Sequence, residues 1–408
     1  MICRHCGALV TLPFLDLGTA PLSNAFLAAG QLGAAEAWYP LRLLVCSECW
    51  LVQTEDYAGC ESVFTNDYVY FSSISSSWVA RAEQYVEQMV ERFALGAGHL
   101  VAEVAANDGY LLQFVQARGV PCYGIEPTQS TAAAARARGL EIIGEFFGLA
   151  LARRLASAGR ECDLIVANNV LAHVPDINDF VAGFECLLTP NGVATFEFPH
   201  LLQMVRQSQF DTAYHEHYSY LSLSTVVRIL ERGGLRVFDV ESLGSHGGSL
   251  RVFAQRAASG AQPVAPVVAR LQAEEIAAGI QTASFYGGFQ VQAERIKDDL
   301  LRFLIAAKRE GRRVAAYGAA AKGNTLLNFA GIKRDLVPFV CDAAPSKQGR
   351  YLPGSRIPVL PPAALAEYAP DDVLILPWNI ADEVRTQLVP LIGSSARFVT
   401  AVPEVRRL

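Results

Sequence analysis

From about residue 100 the chain alternates short apolar runs with helix-forming stretches, and it does so again from residue 313. Leu100–Val104, Cys122–Glu126, Asp163–Ala167 and Gly192–Glu197 read as strands, with helix-forming stretches at 128–138 and 177–188 between them. Arg313–Tyr317, Leu336–Val340, Asp372–Leu376 and Arg397–Thr400 read as a second strand series. Successive strands joined through helices lie parallel, and the helices then cover both sheet faces. The fold class expected is therefore α/β, with two such lobes. A helical stretch at 264–310, broken at Gly287-Gly288, separates them, after a connector near Ala257–Pro263. Residues 1–70 have a different texture, with paired cysteines, Gly and Pro turns and short β-type runs such as Leu41–Val45. Three domains are expected, at 1–70, 71–260 and 261–408, since 408 residues exceed what one core serves.

The most specific chemical signal lies in the first segment. Cys3-x-x-Cys6 and Cys46-x-x-Cys49 are two knuckles, each able to turn both thiolates toward one tetrahedral ion. Cys3, Cys6, Cys46 and Cys49 are thus expected to hold zinc, with His5 a bystander inside the first knuckle. Four thiolates leave no open coordination position, so the role is structural. No leader pattern opens the chain and no apolar run suits a bilayer, so a cytoplasmic protein without membrane contact is expected. A net charge of −6 offers no field to draw a polynucleotide, and no nucleic-acid partner is expected.

After the first strand of the central segment comes Glu103-Val104-Ala105-Ala106-Asn107-Asp108-Gly109-Tyr110. A tight turn there lets backbone approach a ligand at the carboxyl edge of the sheet. The stretch resembles the first motif of class I methyltransferases, acid-x-Gly-x-Gly-x-Gly, but places Ala105 and Asn107 where glycines are usual. Glu126 ends the next strand, where an acid can accept hydrogen bonds from ribose hydroxyls; NAD is held by the same geometry. Asn168-Asn169-Val170-Leu171-Ala172-His173-Val174-Pro175 separates the two, because an Asn-x-Leu-x-His-Val loop after the fourth strand is typical of methyltransferases. Further on, Tyr214-His215-Glu216-His217-Tyr218 gathers two of the chain's seven histidines. On a strand His215 and His217 would share a face and suggest a metal, although no third ligand is obvious. On a turn Tyr214 and His217 would share one, which favours acid–base chemistry.

Across essentially its whole length the chain resembles the deoxysugar C-methyltransferase family of antibiotic biosynthesis. Matching stretches are Cys3–Cys6, Tyr68–Ser73, Glu103–Gly109, Asn168–Pro175, Tyr214–Tyr218, Ser245–Arg251 and Tyr317–Asn324. The resemblance implies a zinc-binding module, a central class I (Rossmann-like) S-adenosylmethionine domain and a second Rossmann-like domain for a sugar nucleotide. It implies C-methylation beside the ketone of a dTDP-linked 4-keto-6-deoxysugar, position 3 being expected. His217 would then be the general base, with Tyr214, Glu216 and His173 at the reacting centre. Tyr68, Glu103, Ala105, Asn107, Asp108, Gly109, Glu126 and Asn168 would face the methyl donor. His246, Ser249, Arg251, Lys322 and Asn324 would face the sugar nucleotide. The chemistry agrees: a C–H beside a ketone needs a base at the proton and donors at the developing enolate oxygen, and a histidine titrating near the working pH suits the first task.

Lys347, Arg350 and Tyr351 offer cations and an aromatic surface to a nucleotide diphosphate. An NAD-dependent oxidoreductase acting on a sugar nucleotide, and a non-catalytic zinc-containing binding protein, are the competing readings. No seam of apolar heptads appears, so a monomer is expected.

Overall fold

The computed structural model describes residues 1–57, 71–393 and 396–408. The amino-terminal module is built on β1 (Leu12–Ala20), β2 (Tyr39–Val45) and β3 (Val52–Thr54), paired antiparallel. In β2 the side chains of Leu41, Leu43 and Val45 are buried while their neighbours are half-covered, the two-residue period of a strand with one face on a core. A fourth strand, Ser219–Tyr220, pairs with β3 although it comes from the central lobe. The module's sheet is therefore completed by residues that follow directly on Tyr214–Tyr218.

The central lobe contains β4 (Val101–Val104), β5 (Cys122–Ile125), β6 (Ile142–Ile143), β7 (Cys162–Asn168) and β8 (Leu188–Pro199). With Ser219–Tyr220 counted as β9, β10 (Leu235–Leu243) and β11 (Ser249–Arg256) complete it. The seven strands of its sheet run β10-β11-β8-β7-β4-β5-β6, and β11 is antiparallel to both its neighbours. From β4 the chain moves outward through β5 and β6, then returns to lay β7 on the other side of β4. This reversal opens a crevice at the carboxyl ends of β4 and β7. Val101, Ala102 and Val104 are buried as expected for a strand covered on both faces. Glu103 is buried with them and is the exception that marks the site. The helix Ser76–Phe93, capped by the Ser75 hydroxyl accepting from the Trp78 N–H at 3.3 Å, buries Ala82, Tyr85, Val86 and Met89 and sets Trp78 at the crevice.

The carboxy-terminal lobe is a six-stranded sheet. Its strands are β12 (Val314–Tyr317), β13 (Val340–Cys341), β14 (Val359–Leu360), β15 (Asp372–Ile375), β16 (Arg397–Thr400) and β17 (Arg406–Arg407), ordered β14-β13-β12-β15-β16-β17. Only β17 runs antiparallel. The strand expected at Leu336–Val340 is reduced to Val340–Cys341; Pro338 lacks the N–H a ladder needs. The helical stretch at 264–310 is three helices, Pro266–Ala277, Ala283–Tyr286 and Phe289–Arg309. Besides the expected break at Gly287-Gly288 there is one at Gly279, whose φ of +88° ends the first helix.

One apolar core joins the module to the carboxy-terminal lobe: Phe14 stacks on Phe289 at 4.6 Å and meets Tyr286 edge-on at 5.4 Å. A second core runs from the cysteine knuckles to one face of the central sheet, through Leu51, Phe180 and Leu223. Among the described residues no helix is long and apolar enough to cross a membrane.

Candidate functional site

The four cysteines of the two knuckles converge. Their sulfur atoms all lie within 4.8 Å of one another, with Cys3–Cys49 at 3.6 Å and Cys6–Cys46 at 3.5 Å. Thiolates at about 2.3 Å around a tetrahedral ion have sulfur–sulfur separations of this size. Each knuckle is a turn closed by backbone bonds, Gly7 N–H to the Cys3 carbonyl and Trp50 N–H to the Cys46 carbonyl. Gln53 Nε2 donates to the Cys3 sulfur at 3.3 Å, as the outer groups around a metal do. The cluster therefore fits zinc. His5 faces away, its Nδ1 against Asn178 Oδ1 at 2.9 Å, and so docks the knuckle on the central lobe.

At the carboxyl end of β4, Ala105, Asn107 and Gly109 have φ of +59°, +50° and +76°. The two departures from the glycine pattern thus keep the backbone that glycine would adopt. Asn107 is suited to it, and its Oδ1 accepts from the Ser72 N–H at 2.9 Å. Ala105 has no such bond. Ala105→Gly is therefore expected to stabilise the protein by up to about 1 kcal/mol, read as a rise in thermal midpoint with cofactor affinity retained. At Gly109 a Cβ would lie 2.3 Å from Leu140 Cδ1 and 3.2 Å from Ala135 Cβ, so a side chain there would have to displace Leu140 on an already strained backbone.

Glu126, at the end of β5, holds the turn by accepting from the Asn107 N–H and the Thr128 N–H, each at 2.9 Å. Asp108 accepts from the Ser73 N–H at 3.3 Å and faces Arg138 at 3.5 Å. Asp108 Oδ1, Asn168 Oδ1 and Asn169 Oδ1 are buried without a hydrogen-bond partner, and the buried Glu103 carboxyl has the Tyr110 hydroxyl as a donor. Burial, then the charges of Asp108 and Glu126, push the Glu103 carboxyl well above its ordinary value. Such a cradle of acceptors, with Arg138 beside Asp108, still calls for further donors and positive charge. A sulfonium with an ammonium group and ribose hydroxyls would provide both, and S-adenosylmethionine fits. The pyrophosphate of a redox dinucleotide would meet three acids. Tyr68 lies outside the described residues.

A cavity of about 390 Å³ runs from Ala105, Asn107, Glu126 and Asn168 to the Tyr214–His217 turn and on to the carboxy-terminal lobe. The turn is closed by the His217 N–H donating to the Tyr214 carbonyl at 3.0 Å. Tyr214, Glu216, His217 and His173 all line the cavity, with the His217 ring centroid 4.0 Å from Tyr214 and 4.6 Å from His173. His217 Nδ1 faces the Thr212 carbonyl at 3.1 Å, so Nδ1 carries the proton and Nε2 the lone pair. His215 points elsewhere, with Nε2 against the Pro40 carbonyl at 3.1 Å and its ring beside Tyr39. The strand-face metal pair is thereby corrected: in a turn the two imidazoles diverge. Among the described residues the cysteines form the metal-type cluster.

Burial, followed by the neighbouring His173, Lys322 and His246, holds the His217 imidazole well below its ordinary value. This corrects the expectation of titration near the working pH, because the side chain has little water to stabilise its charge. Burial likewise lowers His173 and His246 to about 4.

Of the residues read as facing the sugar nucleotide, His246, Lys322 and Lys347 line the cavity and Ser249, Arg251, Asn324, Arg350 and Tyr351 do not. Arg251 pairs with Glu197 at 2.9 Å and Glu241 at 3.2 Å beneath the Ser245–Gly247 turn, and the Ser249 hydroxyl bonds the Ser245 carbonyl. Tyr351 uses its backbone, exchanging two 2.9 Å bonds with Leu27 of the module. The Arg350 carbonyl accepts from the Val359 N–H. Asn324 is buried on its helix. Lys322 donates to Asn379 Oδ1 at 2.7 Å and sits 4.5 Å over the Trp378 ring. Lys347 donates to the Ala319 carbonyl at 3.0 Å. Asn24, Trp78 and Asn379 also line the cavity, and nothing in their local sequence distinguishes them.

The C-methyltransferase NovU of Streptomyces niveus is 34% identical over 404 residues, spanning 99% of this chain and 96% of that one. Family profiles match a zinc binding domain at 3–64, a methyltransferase domain at 78–240 and a C-methyltransferase C-terminal domain at 244–403. Among solved structures, the magnesium protoporphyrin IX methyltransferase of Synechocystis, with SAH bound, is 15% identical over 44% of this chain and 83% of that one, with a TM-score of 0.34. A methyltransferase of Clostridium acetobutylicum is 12% identical over 45% and 92%, with a TM-score of 0.36. These two likenesses are too slight to argue from. The NovU likeness covers nearly every residue, with the cysteine cluster and the acceptor-lined cradle in place. The chain belongs to the C-methyltransferase family that its motifs resemble, and is an S-adenosylmethionine-dependent C-methyltransferase with a structural zinc site.

Proposed function

We propose that the protein methylates the carbon beside the ketone, at position 3, of a 4-keto-6-deoxysugar carried on thymidine diphosphate, as a cytoplasmic biosynthetic enzyme. The observation that carries this reading is the single cavity joining the cofactor cradle to His217 on one side and to Lys322 on the other. A substrate filling it needs an acidic C–H for the imidazole, an oxygen for the surrounding donors and an anionic tail for the lysine. A keto-sugar diphosphate has all three.

In this reading His217 Nε2 takes the proton from the carbon, while its Nδ1–H stays on the Thr212 carbonyl and fixes the ring. Negative charge then develops on the ketone oxygen, where the Tyr214 hydroxyl donates or His173 does, its imidazole kept neutral by burial. S-Adenosylmethionine supplies an electrophilic methyl group when bound in the cradle. Glu103, Glu126 and Asn168 would hold it there, and the remaining contribution of the chain is alignment of carbon with methyl. Lys322, steadied by Asn379, and His246 face the diphosphate.

The direct test is mass spectrometry of dTDP-4-keto-6-deoxyglucose incubated with labelled methyl donor, where one labelled methyl on carbon is expected. Absence of incorporation with that sugar and its 3- and 5-epimers would remove the proposal.

The pH dependence has a definite sign. His217 acts as base only when neutral, and its folded pKa lies well below 6.5, so turnover should stay level from about pH 8 to 6.5 and fall only at lower pH. Stability follows the same direction. With folded pKa values of His173, His217 and His246 depressed, the unfolded chain binds protons first, so stability is intact above 6.5 and is lost as pH falls toward 4. Rate and thermal midpoint measured across pH 8 to 4.5 check both statements.

A further inference from the structure

The wall of the cavity includes a residue of the zinc module. Asn24 lines the cavity, and its Nδ2 donates to Glu216 Oε1 at 2.7 Å. A carboxylate only accepts, so the amide must turn its NH₂ toward it. The bond crosses from one domain to another, and its length is that of a charge-assisted bond.

The loop that presents Asn24 is built to keep it still. The Ala25 N–H donates to the Leu22 carbonyl and the Phe26 N–H to the Asn24 carbonyl, closing tight turns on either side. Phe26, two residues on, is buried in the core shared with the carboxy-terminal lobe. Leu27 then exchanges its two backbone bonds with Tyr351. The turn Asn24 reaches is held by the same module, with the Thr54 hydroxyl on the His217 carbonyl at 3.1 Å and His215 against Pro40.

Resting on the reaction proposed above, we infer that Asn24 is a positioning residue that fixes the Glu216 carboxylate, ionised, against the reacting centre, so that the zinc module supplies part of the active site. Glu216 is nearly wholly buried in a cavity also lined by His173, His217, Tyr214, His246, Lys322 and Lys347. A donor from outside the central lobe holds it ionised among these groups and in one rotamer.

The distinguishing variant is isosteric. In Asn24→Asp two carboxylates stand at hydrogen-bond distance and share one proton only when pH is low enough. Asn24→Asp should lose about a hundredfold in kcat at pH 8 and recover to within about tenfold near pH 6, where the shared proton restores the bond. Asn24→Ala should lose about tenfold at every pH, with KM for the keto-sugar nucleotide little changed. Zinc content and S-adenosylhomocysteine affinity are measured on both variants to show that fold and cradle are intact.

A second readout needs no turnover. Infrared difference spectra of Asn24→Asp should show a protonated carboxyl band that appears as pH falls and vanishes in the Asn24→Asp/Glu216→Gln double variant. A wild-type pH profile in Asn24→Asp, or the lack of that band, overturns the inference. Wild-type turnover in Glu216→Gln would instead count against the reaction as proposed, while the band would still decide the bond.

Discussion

His217→Asn is expected to lower kcat by a factor of about 10² to 10⁴ with the fold and the methyl-donor affinity unchanged. Asparagine can keep a donor near the Thr212 carbonyl, the bond that orients the native ring at 3.1 Å. It has no lone pair basic enough to take a proton from carbon. The loss should therefore fall on the proton-transfer step. That step can be isolated by following exchange of the substrate's acidic hydrogen with deuterated solvent in the absence of methyl donor. Wild-type protein should exchange it and His217→Asn should not. Undiminished turnover in the variant would place the base elsewhere, and His173 at 4.6 Å is then the neighbour to test.

The second large effect is on stability. Removing zinc by chelation, or substituting Cys46→Ser at a fully buried ligand, should lower the thermal midpoint sharply and abolish turnover together. Binding free energy at a four-thiolate site is folding free energy, of order 10 kcal/mol in small zinc domains, because the unfolded chain has no site. Here the consequence reaches the chemistry. The zinc module's sheet includes Ser219–Tyr220, and its β3 holds the His217 carbonyl through Thr54. Loss of the metal should thus release the turn that carries His217, the base in the proposed reaction. Metal analysis should give one zinc per native chain, and a metal-free protein with native midpoint and full turnover would show that the cluster is dispensable.

Much of the α/β pattern could be read from apolar spacing, because a strand buried on both faces leaves a continuous apolar run. Leu164–Ala167 and Val314–Tyr317 are of that kind. The cysteine knuckles could be read for a similar reason: two residues between ligands set a local turn, whatever surrounds it. Local spacing was a poorer guide to direction. His215 and His217 sit two apart, and their rings leave a turn on opposite errands. The resemblance would turn Arg251 to the sugar nucleotide, yet Glu197 and Glu241, from two neighbouring strands, pair with it. Lys347 reaches the cavity while Arg350, three residues on, does not.

By itself the sequence determined the kinds of element, the zinc ligands and the tight turn after β4, since each depends on residues close together in the chain and on the backbone they prefer. Only the tertiary structure decided that Asn24 meets Glu216 across 192 positions and that a strand after the His217 turn completes the zinc module's sheet. The reason is physical. Which buried polar group finds which partner depends on where separate elements pack, and that packing is set by apolar faces far from the groups themselves.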